Sequence, residues 1–310
     1  MLILVSMRWV INMKNIKKQI FFAGLFIGIS TFVSVAKADS TVCTTNGSGA
    51  INDNLACFAG ATQMQFPVYK VALCQAKPSA PTLSTPVDIS KCVVLLSNPS
   101  GTPVTVRTGG VTTMPGQIAP LPTLSGGRRE GITYSYAYIE SAPSAAVQAT
   151  ATFTANRTGV ENPGTPGTIC WSTTTTIYSY GPVPTTGSKC GSSASDVGLT
   201  TVLMNSLGTN SAYMSYSSTS NGITTDTYLV DSSLKQAAAT TSGSMGTVSK
   251  IINIQTLPIT ITQQSGGVKA SIQTSQGAWI LQQSGGSPNL WFQNGNASLV
   301  LYSCGQGRCN

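Results

Sequence analysis

Alternating apolar and polar positions dominate this chain, and they predict a mainly β fold. Residues 133–139 alternate strictly, and their large side chains share one face: Tyr134, Tyr136 and Tyr138. Residues 145–154 alternate as well, and four apolar side chains are expected to point inward: Val147, Ala149, Ala151 and Phe153. Successive side chains of a strand point to opposite faces, so both segments are predicted as half-buried strands.

Turn residues divide the rest of the first half into further short strands. Strands are predicted at residues 66–74, 93–96 and 102–107, and Asn98-Pro99-Ser100-Gly101 separates the last two. Residues 169–180 are rich in Thr and Tyr and are predicted to be extended. These segments together favour a β-sandwich, in which two sheets bury alternate side chains between them.

The C-terminal segment predicts an antiparallel β-meander. Its strands are expected at 248–254, 259–262, 268–274, 278–282, 289–293 and 298–303. Turn sequences rich in Gly, Ser and Asn separate the last five of them. The predicted fold class is therefore mainly β, an antiparallel β-sandwich plus a C-terminal β-meander, with one or two short helices.

Two segments carry the helical signals. Residues 195–208 have leucine and valine at helical spacing after Ser195, although residues 199–204 fit a strand equally well. Residues 232–240 begin with two serines and have alanines in their body, which predicts a short helix.

The N-terminus has the order of a secretory signal peptide. A basic start at 13–18 is followed by an uncharged apolar stretch at 20–35 and by the small-x-small sequence Ala36-Lys37-Ala38. We predict cleavage after Ala38. A retained anchor is the alternative, but the apolar stretch is shorter than the roughly 20 residues of a stable membrane span. Residues 1–12 precede a better start at Met13. They are either an over-extended gene start or part of an unusually long N-terminal region of the signal peptide.

The predicted leader also accounts for most of the positive charge. The whole chain carries a net charge of +8, and the leader holds five of its 17 basic residues and none of its nine acids. The remaining 12 basic and nine acidic residues give a net charge of +3. Nucleic-acid binding needs a clustered basic face, so nucleic acid is not expected as a partner.

All eight cysteines follow the predicted leader, which indicates disulfides in an oxidising compartment. Sequence neighbours are the preferred partners: Cys43–Cys57, Cys74–Cys92, Cys170–Cys190 and Cys304–Cys309. Zinc is not expected, because the chain has no Cys-x-x-Cys and no histidine. No metal and no cofactor is predicted.

The absence of histidine excludes Ser-His-Asp and Cys-His catalysis. Ser232-x-x-Lys235 matches a nucleophile–lysine pattern, but a solvated short helix explains it better. Nine acids remain without a D-x-D or E-x-E cluster, and Asp226 and Asp231 flank an apolar strand as turn residues or as cation or sugar ligands. The sequence therefore predicts no catalytic residue and no enzyme.

Aromatic side chains are the better candidates for binding. Trp279 and Trp291 lie on neighbouring predicted strands, and an exposed pair could stack on sugar rings. The register decides whether they share a face, because a slip of one residue moves a side chain to the other face. The tyrosine row at 134, 136 and 138 is a second candidate contact surface. Core aromatics of a sheet are the alternative for both sets.

A short part of the chain resembles a known layout. Val68-Tyr69-Lys70-Val71-Ala72-Leu73-Cys74, then Val87-Asp88-Ile89-Ser90 and Gly131-Ile132-Thr133-Tyr134, resemble the transthyretin-like β-sandwich domains of bacterial exported proteins of unknown function. The resemblance covers about residues 64–155. It implies a secreted or surface β-domain and no known catalytic residues.

The sequence as a whole predicts a secreted or cell-surface protein, with the periplasm as a further location. Its predicted regions are a signal peptide at 1–38, a β-sandwich at 39–160, a Ser/Thr-rich middle at 161–247 and the meander at 248–310. The expected function is non-enzymatic: a structural or adhesive protein of the surface, matrix or an appendage, with self-association or a cell-surface or glycan ligand. The alternatives are a carbohydrate-binding module and, third, a carboxylate-dependent hydrolase. No stable membrane span is expected after cleavage.

Overall fold

The computed structural model describes residues 42–52, 56–107, 132–208, 210–220, 223–261, 267–273, 277–282, 289–295 and 298–304. Side chains are described for most of these, but not for residues 106, 132, 220, 257–261, 267–273 and 298–304. Residues Ala38–Asn310 form one compact unit. The predicted leader, the predicted cleavage site and the predicted pair Cys304–Cys309 include residues outside the described ones and stay predictions.

The described part is all β, as the alternation predicts. Its 17 strands are β1 Cys57–Ala59, β2 Gln63–Cys74, β3 Cys92–Arg107, β4 Ile132–Ser141, β5 Ser144–Gln148, β6 Thr150–Gly159, β7 Gly167–Ser172, β8 Thr175–Tyr178, β9 Ser188–Gly191, β10 Thr200–Leu203, β11 Ser215–Ser220, β12 Ile223–Val230, β13 Lys250–Ile261, β14 Gly267–Gln273, β15 Ala278–Gln282, β16 Asn289–Asn294 and β17 Ser298–Cys304.

Two mixed sheets are formed, and one of them curls into a half-barrel. The six-stranded sheet has the order β1-β15-β16-β6-β7-β9, and the nine-stranded sheet has the order β11-β12-β13-β4-β2-β5-β10-β8, with β3 beside β2. The pairs β16–β6 and β10–β8 are parallel. The prediction of an antiparallel sandwich is therefore wrong for these two pairs. Strands of all three predicted regions share these sheets, while the boundaries at 160 and 247 stay predictions.

A proline lies where the long strand β2 changes partners. On one edge, β2 pairs with β5 through residues 63–65 and with β4 through residues 68–74. Pro67 lies between these two stretches. Proline has no N–H to donate to a ladder, so its position suits the point where one partner strand ends and the next begins.

The alternating run at 145–154 passes from one sheet to the other. It forms β5 in the larger sheet and β6 in the smaller one, with a break at Ala149. Its inward side chains are buried as predicted and join one apolar cluster that contains residues of both sheets: Val147, Ala149, Ala151 and Phe153. Ser172 forms hydrogen bonds with Ala149 at the break. Its Oγ accepts from the Ala149 N–H at 3.0 Å, and its N–H donates to the Ala149 carbonyl.

The predicted break at 98–101 is an excursion inside one strand. Register passes from Lys70 opposite Ser97 to Val68 opposite Thr102, so the extra residues bulge out of β3. Gly101 has a φ of +80°, which glycine adopts readily.

Every C-terminal segment predicted as a strand overlaps a strand of the structure, but the segments predicted at 248–254 and 259–262 fall on one strand, and the predicted meander is wrong. Strand β13 runs without a break from 250 to 261 in the larger sheet, and β14 pairs with β17. The hairpin β15–β16 joins the six-stranded sheet instead, because Ile280, Leu290 and Phe292 are buried in its core. Turn residues show where strands end, but core burial selects the sheet.

The described residues contain no helix, so both helix predictions are corrected. Residues 200–203 form β10, the strand alternative, because Thr200 and Val202 are fully buried between β5 and β8. Residues 232–234 form a turn, and the residues up to 240 are bridged or irregular: the Asp231 carboxylate accepts the N–H groups of Ser233 and Lys235, and Leu234 has a φ of +62°. A left-handed residue cannot continue a right-handed helix.

Candidate functional site

The register of β1, β15 and β16 places three aromatic residues on one side of the smaller sheet. Trp279 lies opposite Gln293, and Leu281 lies opposite Trp291, so the two tryptophans share a face as diagonal neighbours. Phe58 of β1 lies opposite Trp279 on the same face. We call Phe58, Trp279 and Trp291 the aromatic face.

The aromatic face is partly open to solvent. Phe58 is buried, and its ring centroid lies 6.0 Å from that of Trp279 with the planes tilted by 35°. Trp279 and Trp291 are half-buried. The indole N–H of Trp291 is buried and has no acceptor among the described residues. The other side of these strands, with Ile280 and Phe292, lies in the core and cannot contact a ligand.

The tyrosine row of β4, defined by Tyr134, Tyr136 and Tyr138, is largely internal. Tyr134 and Tyr138 are 4% and 0% exposed, and Tyr136 is half-buried. The Tyr138 hydroxyl donates to Oε2 of Glu140 at 3.1 Å. Burial raises the pKa of Tyr138 well above the usual tyrosine range, and the negative charge of Glu140 adds to the effect. The row packs the larger sheet, with Tyr136 as its partly accessible member.

Glu140 is a buried carboxylate that sequence reasoning missed. It is 3% exposed and lies between Lys250, whose Nζ is 2.5 Å from Oε1, and Lys70, whose Nζ is 3.8 Å from Oε2. The Lys250 ammonium also lies 5.3 Å from the Tyr69 ring centre. The partners come from β2 and β13, on either side of β4. Only the strand register brings the three charged side chains together, so no local sequence motif could have predicted this cluster.

Asp226 and Asp231 have separate roles in the structure. Asp226 pairs with Lys77 at 2.6 Å and accepts a hydrogen bond from Ser217 at 2.6 Å. Burial alone would raise the pKa of Asp226, but the bonds from Lys77 and Ser217 outweigh it and hold this pKa below the usual value. Asp231 holds the turn at 231–235, as a turn residue would.

Glu161 and Asp196 are two acids that meet at a common lysine. The Lys189 ammonium lies 3.4 Å from Glu161 and 2.7 Å from Asp196. Burial by itself would raise the pKa of Glu161, but hydrogen bonds from Thr173, Gly187 and Lys189 lower this pKa. The pKa of Asp196 is also lowered, chiefly by its hydrogen bond from Lys189. A glycosidase needs one carboxyl whose pKa is raised so that it can act as an acid. Neither carboxyl of this pair has such a raised pKa, and both bind Lys189 of β9.

The other sequence candidates lie apart from one another. Ser232 and Lys235 lie in a turn instead of on a helix. Within the described ranges, no group of His, Cys, Asp and Glu could hold a metal ion. A cavity of about 370 Å³ lies between the segment 42–52 and β6, and its lining, which includes Val42, Phe58 and Thr152, has no acid or lysine.

Three disulfides join the predicted sequence neighbours. Cys43 bonds to Cys57, Cys74 to Cys92 and Cys170 to Cys190. The second and third pairs lie directly opposite each other on adjacent strands. They fasten β2 to β3 and β7 to β9, and they indicate an oxidising, extracytoplasmic location.

No helix in the part of the chain that the structure describes is long and apolar enough to cross a membrane. Comparison of the chain with protein-family models, curated proteins and solved structures finds no match. The resemblance over residues 64–155 therefore stays a prediction.

Proposed function

We propose that this chain is an exported, non-enzymatic structural or adhesive protein of the cell surface, the extracellular matrix or an appendage. The observation that carries the proposal is that the cysteines and several of the carboxylates described in the structure hold the fold together. The six cysteines whose side chains the structure describes form three disulfides, and Glu140, Glu161, Asp196 and Asp226 are all engaged in ion pairs within the fold. Such groups hold strands together and leave little for catalysis.

The experiment measures association directly. The purified oxidised protein is examined by analytical ultracentrifugation and is tested for binding to whole cells and isolated cell-wall material. We expect self-association or saturable cell binding. A protein that stays monomeric over the whole concentration range and binds no surface would contradict the proposal.

A second candidate is carbohydrate binding through the aromatic face. The shared face of Trp279 and Trp291 favours it, because two indoles on neighbouring strands can stack on sugar rings. A glycan array identifies the ligand, and the variant Trp279→Ala/Trp291→Ala is expected to lose the signal. Leu83→Ala, which removes a side chain that is 69% exposed elsewhere, is the control. An array without signal, or unchanged binding by the double variant, would exclude this candidate.

A further inference from the structure

The turn at 46–50 directs several hydrogen-bond donors at one side-chain oxygen. Oδ1 of Asn46 accepts from the Ser48 N–H at 3.1 Å, from the Ser48 hydroxyl at 2.8 Å and from the Ala50 N–H at 2.9 Å. The backbone of the turn is closed by Asn46 N–H to Ala50 O, at 2.9 Å. Asn46 itself is exposed to solvent. Its side-chain carbonyl is therefore held in one place and polarised, while water has access.

The next residue, Gly47, has open space beside it and a backbone N–H without a partner in the described chain. A Cβ built on Gly47 meets nothing within 4 Å, so no other part of the described chain crowds that side of the residue. The Gly47 N–H makes no hydrogen bond to a described residue. This nitrogen and the Asn46 side-chain carbonyl carbon are the two atoms that must join to close a five-membered ring.

We propose that the fold makes Asn46 a site of spontaneous deamidation. The Gly47 nitrogen loses its proton to solvent base and attacks Cγ of Asn46. Oδ1 then carries the negative charge, which the donors of Ser48 and Ala50 stabilise as an oxyanion hole does. The Cγ–Nδ2 bond breaks, and the protonated nitrogen leaves as ammonia from a cyclic succinimide.

Water then opens the succinimide ring and completes the reaction. Attack at one carbonyl gives aspartate at position 46, and attack at the other gives isoaspartate. The net change is consumption of one water, release of one ammonia and gain of one carboxyl group, with no oxidation or reduction. Solvent supplies every co-reactant.

A second Asn-Gly in the described chain shows why the fold matters. The Gly295 N–H of Asn294-Gly295 donates to the Gly277 carbonyl at 2.8 Å, at the end of the β15–β16 hairpin opposite to the loop that joins the two strands. Attack on Asn294 would have to break this bond. Both sites contain the same dipeptide, and the ratio of the folded to the unfolded rate at each site separates the effect of the structure from that of the local sequence.

The product would change a defined part of the surface. The disulfide Cys43–Cys57 closes the loop that contains the turn, and Thr45 and Gly49 line the nearby cavity. Deamidation places a carboxylate in this turn, and isoaspartate lengthens its backbone by one carbon. The disulfide keeps the altered loop attached to β1.

The test follows deamidation by peptide mapping and mass spectrometry. The purified oxidised protein is incubated at neutral pH, folded or unfolded in guanidinium after reduction, and both sites are quantified over time. In the folded protein we expect Asn46 to react about tenfold faster than in the unfolded chain, which corresponds to about 1.4 kcal/mol of oxyanion stabilisation. Asn294 should react more slowly when folded. An Asn46 rate that is equal or lower in the folded state would overturn the proposal.

Two variants separate the contributions. Ser48→Ala removes the hydroxyl donor and should slow the folded Asn46 reaction several-fold without affecting Asn294. Gly47→Ala fits the open space and should slow the reaction by hindering attack, in the folded and unfolded states alike. If Ser48→Ala keeps the folded wild-type rate, the oxyanion role of the turn is contradicted.

Discussion

The tyrosine row of β4 and the aromatic face of β1, β15 and β16 are made by the same alternating pattern and have different surroundings. Strand β4 lies inside the larger sheet between β13 and β2, and Tyr138 is fully buried there. Trp279 and Trp291 lie on the side of the smaller sheet that faces away from its core and stay half-buried. Burial depends on what covers a face, which alternation along one strand does not report.

The two regions also differ in how their polar atoms are satisfied. The Tyr138 hydroxyl is bonded to Glu140, whose carboxylate is neutralised by two lysines. The Trp291 indole N–H has no acceptor among the described residues. A fully satisfied cluster stabilises the fold, whereas a half-open aromatic pair is suited to contact with a partner. The predictions below test this division.

The largest effect is expected for Tyr138→Ala. Removing a fully buried aromatic ring leaves a cavity and should lower the free energy of unfolding by about 4 kcal/mol. Guanidinium unfolding of the oxidised protein measures the change. Tyr136→Ala, at the half-buried position of the same row, is the matched control and should lose clearly less. Equal losses would show that the two positions are packed alike.

Glu140→Ala should cost slightly less, about 3 kcal/mol, because it leaves two partly buried lysines and the Tyr138 hydroxyl without their partner. The same unfolding experiment measures it. Asp196→Ala is the control, since that carboxylate is more than half exposed, and its loss should have a much smaller effect. A Glu140 variant as stable as the wild type would contradict the role given to the buried cluster.

Trp279→Ala should cost only about 1 kcal/mol, since the side chain is half-buried and most of the loss is its contact with Phe58. Thermal unfolding checks the stability, and the binding assays above check the function. A loss as large as that of Tyr138→Ala would place Trp279 in the core and would withdraw the aromatic face as a contact surface.

The smallest effect is expected for the titration of Tyr138, which changes the stability only at high pH. Its pKa is raised in the folded state, so its stabilising contribution is fully present below the ordinary tyrosine pKa, about 10. Stability should fall as the pH rises above that value, because the unfolded chain ionises first. Tyr138→Phe should flatten this slope relative to the wild type, and equal slopes would contradict the assignment.

Local patterns predicted the strands well and their partners poorly. The alternation at 145–154 correctly marked Val147, Ala149, Ala151 and Phe153 as buried. It could not show that the run changes sheets at Ala149, because the inward face stays the same through the change. The leucine spacing at 195–208 suggested a helix, but burial of Thr200 and Val202 between two strands decided for β10.

The candidate site was predicted in part. The two tryptophans were identified from the sequence, but their common face follows from a register in which Trp279 pairs with Gln293. The ion cluster of Glu140 was missed, because its lysines lie 70 and 110 residues away along the chain. The Asn46 turn is local, yet the three donors on its side chain become visible only in the folded loop.

The sequence by itself determined the β character and the cysteine partners in the three described disulfides. These properties depend on neighbouring residues: alternation, turn composition and short loop lengths. Only the tertiary structure decided which strands pair, which aromatic row is covered and which carboxylate is buried. Those properties depend on contacts between distant segments, where the burial of apolar surface and the pairing of charge select among arrangements that the local pattern leaves equivalent.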